Sequence, residues 1–214
     1  MNIHTLPLGP IGTNCYIVSH EGKALIFDPG AEVETIEKFL TDNRLEPLAI
    51  LLTHAHFDHI GAVDSLRKTY GIDVYLHEKE EKWLEDPTLN RSVFFFGEAG
   101  AIRTAKPDVL IEPRQWQIGP FTFEAVHTPG HSPGSVSYIF HDEAFVICGD
   151  TLFNQGIGRT DLPEGDFQQL MTSIFTHLYT LDEFFTAYPG HGPSTTIGSE
   201  KYSNPFTIQV QREQ

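Results

Sequence analysis

Hydrophobic and polar positions follow two different periods along this chain, and the changes of period mark its elements. Residues 13–19 and 23–27 are short β-branched and aromatic runs separated by His20-Glu21-Gly22, which predicts two strands joined by a turn. Asp28-Pro29-Gly30 stops the second run. Val33, Ile36, Phe39 and Leu40 then fall at helical spacing over residues 32–40. Residues 48–52 are continuously apolar, the pattern of a strand buried on both faces. Ala62, Val63, Leu66 and Tyr70 predict a second helix, closed by Gly71, and residues 73–77 another strand.

Residues 78–108 are less regular, holding an acidic helical piece over 78–85 and the apolar run Val93-Phe94-Phe95-Phe96. The strand period returns over 115–118, 121–127, 136–140 and 144–148. Residues 167–178 predict a third amphipathic helix with Leu170, Met171, Ile174 and Phe175 on one face. A last strand is expected over 184–188 and a short helix starting near Ser199. Strand groups at both ends, with helices between and after them, predict two sheets flanked by helices. No repeat, linker or low-complexity stretch divides the chain, so residues 1–214 read as a single domain.

The chemistry gathers where the predicted strands stop. The apolar run 48–52 leads into His54-Ala55-His56-Phe57-Asp58-His59, which places three histidines and one aspartate within six residues. Imidazole nitrogens and carboxylate oxygens are the donors that zinc, iron and manganese accept. The run 121–126 leads into His127-Thr128-Pro129-Gly130-His131-Ser132-Pro133-Gly134. The run 144–148 leads into Gly149-Asp150-Thr151, and 184–188 into Pro189-Gly190-His191-Gly192. Glycine and proline there permit tight turns and close backbone approach. The candidate ligands are His54, His56, Asp58, His59, His131, Asp150 and His191. That is too many for one tetrahedral ion, and it suits two ions about 3.5–4 Å apart sharing a bridging carboxylate. Such a pair generates hydroxide at neutral pH and polarises a carbonyl, which fits hydrolysis of an acyl bond.

Other residues read more plainly. His4, His20, His77, His141 and His177 are expected on the surface or satisfied in the core. His127 lies near the site but matches no ligand position. Asp28 is either a turn residue or an orienting partner for a metal-binding histidine, and Cys148 a core strand position. With only two cysteines, Cys15 and Cys148, each among apolar neighbours, buried thiols are expected rather than a disulfide framework. Most of the 16 phenylalanines are expected in the core.

Charge narrows the partners. The formal net charge is −15, from 14 basic and 29 acidic residues, and the densest basic run is Arg67-Lys68. A nucleic-acid binder needs a basic stripe to neutralise phosphates, so nucleic acid is not the expected partner. Bound divalent cations would offset part of the negative charge. The first residues hold no basic region followed by an apolar core, and no window approaches the roughly 18 apolar residues of a membrane span. A soluble, cytoplasmic protein is expected.

Asp28-Pro29-Gly30, the cluster His54 to His59, Gly130-His131-Ser132-Pro133-Gly134, Gly149-Asp150 and Gly190-His191 closely resemble the metallo-β-lactamase superfamily, in order as well as in kind. The resemblance implies a four-layer αββα sandwich with a two-metal site at the sheet edges. It implies that His54, His56 and His131 hold one ion, that Asp58, His59 and His191 hold the other, and that Asp150 bridges. The metals implied are divalent, zinc first and iron or manganese as alternatives, with Asp58 acting beside a metal-bound hydroxide. Within the superfamily the chain is similar to small glyoxalase II-type proteins, which resemble hydroxyacylglutathione hydrolases. A small acyl-thiol substrate is therefore expected, cleaved as a thioester. Two departures stand out. No C-terminal helical glutathione-binding domain is expected in the residues after His191. The segment Gly158-Arg159-Thr160-Asp161 stands where glyoxalase II has a lysine and a tyrosine, with Arg159 the candidate carboxylate contact. That same segment is similar to persulfide dioxygenases, which would use one iron at His54, His131 and Asp150.

Overall fold

The computed structural model describes residues 1–212 and divides by internal contacts into two compact units. Unit 1 comprises Met1–Ile111 and Gln117–Thr122; unit 2 comprises Glu112–Trp116 and the described residues from Phe123 onward.

Unit 1 is built on a sheet of order β1-β2-β3-β4-β5-β6: β1 Asn2–Leu8, β2 Thr13–His20, β3 Lys23–Phe27, β4 Glu46–Leu51, β5 Asp73–Leu76 and β6 Val109–Leu110. The first three strands are antiparallel, whereas β3, β4, β5 and β6 run parallel. Helices α1 (Val33–Asp42) and α3 (Val63–Tyr70) make the crossovers, with the single turn α2 (Phe57–Ile60) preceding α3. Their apolar stripes, Ile36 and Leu40 from α1 and Val63 and Leu66 from α3, pack with Ile17, Ile26, Ile50 and Val74 of the sheet. Tyr16, Leu25, Phe27 and Leu51 point to the other face and are buried too. Both faces of the central strands are thus apolar, which explains the unbroken hydrophobic run that announced β4.

Unit 2 carries most of a second sheet, of order β14-β13-β10-β9-β8-β7. Its strands are β7 Arg114–Ile118, β8 Phe121–His127, β9 Val136–Phe140, β10 Phe145–Gly149, β13 Thr186–Pro189 and β14 Thr195–Thr196, with the small hairpin β11 (Leu152–Phe153) and β12 (Gly156–Ile157) after β10. Helix α5 (Phe167–Ser173) continues as a wider π-type turn over Ile174–Leu178. Its Leu170, Met171 and Ile174 pack with Val146, Cys148 and Ala187. Helices α6 (Ile197–Ser203) and α7 (Pro205–Arg212) follow.

Asn2–Leu8 pairs along its whole length with β2, in keeping with the strand character of the first 30 residues; it lies at a sheet edge, where Pro7 is tolerated and one row of bonds suffices. Several expectations are corrected. The last long strand begins at Thr186, not at 184, because Phe184 and Phe185 belong to a turn in which Phe185 N donates to Asp182 O. The acidic stretch is a 3₁₀ helix over Glu78–Trp83. Val93 to Phe96 lies in a short helix, α4 (Ser92–Phe96), and its three phenylalanines are exposed rather than in the core. Both cysteines are buried free thiols, as composition predicted. No helix among the described residues is long and apolar enough to cross a membrane.

Leu66→Ala is expected to destabilise the protein by about 2–5 kcal/mol, because the side chain is fully buried between α3 and the sheet. Leu110→Ala, at an exposed sheet-edge position, is expected to fall within about 0.5 kcal/mol of the parent. Urea unfolding of the two variants checks both.

Candidate metal centre

The register of the parallel strands decides where the candidate ligands stand. In unit 1, Phe27 of β3 is level with Leu51 of β4, so the two chains leave the sheet side by side. Asp28 thereby faces the start of the histidine cluster. Its Oδ1 accepts from Thr53 N at 2.7 Å and its Oδ2 from the Thr53 hydroxyl at 2.6 Å. The same Oδ2 lies 3.0 Å from Nδ1 of His59. Of the two roles open to Asp28, orienting a histidine is the one its contacts describe. With Nδ1 turned to Asp28, His59 presents Nε2 on the side of Asp58, 3.3 Å from Oδ2.

Two further groups shape this half. Glu80, fully buried, accepts from Ala55 N at 2.6 Å and so pins the backbone between His54 and His56. The Thr13 hydroxyl donates to Asp58 Oδ2 at 2.7 Å. Both were missed from the sequence. Glu80 sits in an acidic run that reads as a solvated face, and Thr13 is an ordinary strand threonine. The Asp28-Pro29-Gly30 turn also presses directly on the cluster: a Cβ on Gly30 would lie 1.6 Å from Asp58 O, and one on Gly61 2.2 Å from Gly30 O. Glycine is required there by contact with backbone rather than by its own dihedral freedom.

His54 and His59 are fully buried and His56 nearly so. The His54 ring centroid lies 4.1 Å from that of His59 and 4.8 Å from that of His56. For His59, burial alone would lower the pKa, yet the carboxylates of Asp58 and Asp28 outweigh it and hold the pKa well above the usual imidazole value. Three imidazoles thus lie packed together with the carboxylates of Asp28 and Asp58 beside His59, a donor set that a cation suits.

In unit 2, β10 and β13 are parallel and Gly149 is level with Pro189 after a bulge. Gly190 N donates to Gly149 O at 2.8 Å, which holds the two strand exits together. Asp150 and His191 follow them, and His191 Nε2 lies 3.6 Å from Asp150 Oδ2. The β8–β9 connection brings the third member: Thr128 N donates to Ser135 O, closing the loop that carries His131. His131 Nε2 lies 3.5 Å from the same Asp150 oxygen, while its Nδ1 is 2.9 Å from Arg159 O and donates to it in that tautomer. One carboxylate oxygen thus stands between two imidazole nitrogens. Gly158 is again set by crowding, since a Cβ there would lie 1.8 Å from Asp150 O.

The structure therefore gathers His54, His56, Asp58 and His59 in unit 1 and His131, Asp150 and His191 in unit 2. Arg159 lies in unit 2, in the segment that follows the β11–β12 hairpin. Its guanidinium is forked on Asp161, Nε to Oδ1 at 2.7 Å and a terminal nitrogen to Oδ2 at 2.8 Å, which draws the Asp161 carboxyl down to about 2. Its contribution near the histidines is the carbonyl that His131 meets. Cys148 is buried, and burial pushes its thiol up to about 12, so it is a protonated core residue. His127 Nε2 meets Pro133 O at 2.8 Å and braces the His131 loop.

Two mixed sheets with helices, and histidine and aspartate clusters at their strand ends, define an α/β protein with candidate metal-binding groups. Residues 8–191 match the family model of the metallo-β-lactamase superfamily, and the chain belongs to that superfamily. Among curated relatives, it is 50% identical to "Probable metallo-hydrolase YqgX" of Bacillus subtilis, over 96% of this chain and 97% of the relative. It is 37% identical to "Hydroxyacylglutathione hydrolase GloC" of Haemophilus influenzae, over 96% and 98%. Among solved structures, BLEG-1 B3 metallo-β-lactamase superposes with a TM-score of 0.93 at 52% identity, covering 96% of this chain and 99% of that one. TTHA1623 in a di-iron-bound form superposes with a TM-score of 0.85 at 37% identity, covering 95% and 99%. The fold is the metallo-β-lactamase fold, as the resemblance implied. The superfamily binds divalent metals, and the imidazole and carboxylate donors gathered here are a set that such ions accept.

Gly30→Ala is expected to cost about 1–3 kcal/mol of stability, because the Asp58–His59 backbone must move. Gly156→Ala, whose new Cβ makes an ordinary 3.6 Å contact, is the control and is expected to change little. Thermal unfolding of the two variants distinguishes this account from a general intolerance of alanine.

Proposed function

We propose that the protein is a dinuclear-metal thioester hydrolase acting on a small acyl-thiol. The proposed ligands are His54, His56 and His131 for one ion and Asp58, His59 and His191 for the other, with Asp150 between them. The observation that carries the reading is Asp150 Oδ2, set 3.5 Å from His131 Nε2 and 3.6 Å from His191 Nε2, the disposition of a carboxylate shared by two ligand sets. The likeness to a hydroxyacylglutathione hydrolase over nearly the whole of both chains supports the substrate class. When bound, two divalent ions would lower the pKa of water to about 7 and polarise the acyl carbonyl. Zinc is the proposed metal, and the di-iron form of a relative makes iron the alternative.

The chain's own residues would then do three things. Asp28 and Arg159 O fix the ring orientations of His59 and His131 through their Nδ1 atoms. Asp58, held through Oδ2 by the Thr13 hydroxyl, takes the proton of the attacking water. The C–S bond breaks, and the departing thiolate is a good leaving group because free thiols ionise near 8.5. Water and thioester thus become a carboxylate, a thiol and a proton. Arg159, with its guanidinium about half exposed, is the proposed contact for a substrate carboxylate, in exchange for part of its fork with Asp161.

The Gly158-Arg159-Thr160-Asp161 segment keeps one competing reading, a persulfide dioxygenase with a single iron at His54, His131 and Asp150. The 52% identity to a B3 metallo-β-lactamase makes a β-lactam a necessary comparison substrate.

The expected result is two metal ions per chain by elemental analysis, with thiol release from an acyl thioester and no oxygen uptake with a persulfide. Full activity at one metal per chain would reject the dinuclear reading, and persulfide-dependent oxygen uptake by iron-loaded protein would favour the dioxygenase. Thr13→Val is expected to weaken metal binding by about 10–100-fold in chelator competition, since it removes the bond that orients Asp58. An unchanged affinity would take Thr13 out of that role.

A further inference from the structure

Unit 1 presents an apolar surface that neither the metal cluster nor the core accounts for. Phe94, Phe95 and Phe96 of α4 are 68%, 55% and 42% exposed, and Ile11, in the turn between β1 and β2, is 48% exposed. Large apolar side chains grouped on a surface mark a binding region. Two of them are braced: the Phe57 ring lies 4.5 Å from that of Phe95 and 5.3 Å from that of Phe96. Phe57 is itself flanked in sequence by His56 and Asp58. The aromatic wall is therefore built directly onto the metal-binding turn.

Between this wall and the β1–β2 turn lies a cavity of about 100 Å³. Leu8, Ile11, Ala31, Phe57, Phe96 and Ile102 line it, and Asp58 is its one ionisable lining residue. A dry apolar cavity of about 150 Å³ holds a benzene ring, so on that scale about 100 Å³ accommodates about four carbon atoms. No cationic or hydroxyl-bearing side chain stands in the lining to receive a charged or hydroxylated tail. An anionic tail would also face the Asp58 carboxylate.

We propose that this cavity is the acyl subsite and selects a short, uncharged aliphatic acyl group of about four carbons. The inference rests on the thioester-hydrolase reading and adds the substrate's chemical class to it. Asp58 both lines the cavity and belongs to the proposed ligand set, so an acyl chain lying against Phe57, Phe96 and Ile102 has its carbonyl end beside the metals. Burial of each methylene contributes about fourfold in kcat/KM, from about 0.8 kcal/mol per CH₂. The gain ends when the cavity is full.

Two measurements test this. With the holoenzyme and one constant thiol, kcat/KM is expected to rise about fourfold per methylene from acetyl to butyryl and then level off. Lactoyl and succinyl thioesters of the same thiol are expected to fall below butyryl. Phe96→Ala is expected to move the levelling point to longer chains, and Ile11→Asp to flatten the rise. Separately, the metal-free protein is titrated with butanamide or with succinamate while the Ile11 and Ile102 methyl resonances are followed by NMR. Shifts with butanamide alone support the subsite; equal shifts with both, or none with either, overturn it. Thioester turnover with no dependence on the acyl chain would overturn the subsite and leave the hydrolase reading standing. Butanamide-specific shifts without turnover of any thioester would instead remove the hydrolase reading and leave an apolar binding cavity.

Discussion

Parallel pairing of adjacent strands is the constraint on which the chemistry of both units depends. In a parallel ladder, neighbouring strands end on the same edge, so residues distant in sequence leave the sheet together. Phe27 level with Leu51 sets Asp28 against Thr53 and His59, and Gly149 level with Pro189 sets Asp150 against His191. Because the donors follow directly on hydrogen-bonded strand ends, their positions are set by the ladder and not by the freedom of a loop. The apolar faces of β4 and β10 matter for the same reason: burial on both sides holds the register that the donors inherit.

Around each donor the structure places a second group that leaves it little freedom. Asp28 turns His59, Arg159 O turns His131, Thr13 holds Asp58, and Glu80 holds the backbone between two histidines. The cost is a concentration of buried carboxylates, which is unfavourable in a low-dielectric interior unless positive charge is nearby. The raised pKa of His59 expresses that demand with a proton, and a metal ion would meet it with a larger charge. Crowding completes the arrangement, since Gly30, Gly61 and Gly158 sit where a methyl group would strike backbone.

The exposed phenylalanines of α4 show the limit of reasoning from residue type. Val93 to Phe96 is as apolar as any core strand, yet it forms one short helix whose Phe95 and Phe96 rings meet Phe57 while staying largely exposed. Phe184 is likewise exposed in a turn, while Phe185 beside it is buried. Burial is a property of what lies opposite a side chain, and one sequence window does not contain that partner.

Much of the site was nevertheless legible. The set of candidate ligands, from His54 to His191, is local: each lies within a few residues of an apolar strand and a glycine-bearing turn, so hydrophobic period and residue chemistry together point to it. The alternating and helical periods likewise determined most elements, because each reports how one segment meets a core. What the tertiary structure alone decided is which polar residues serve the donors. Glu80 is chemically the same as its neighbours Glu78 and Glu81 in an acidic run, and only the packing of the 3₁₀ helix buries it against Ala55 N. Asp28 was open between two roles until the β3–β4 register put Thr53 and His59 within reach. Arg159 was named for its charge, and folding adds a second contact, its carbonyl on His131, while its guanidinium is forked on Asp161. Side-chain identity is written along the chain, but a hydrogen-bond partner is chosen by distance, and distance between remote residues exists only once the chain has folded.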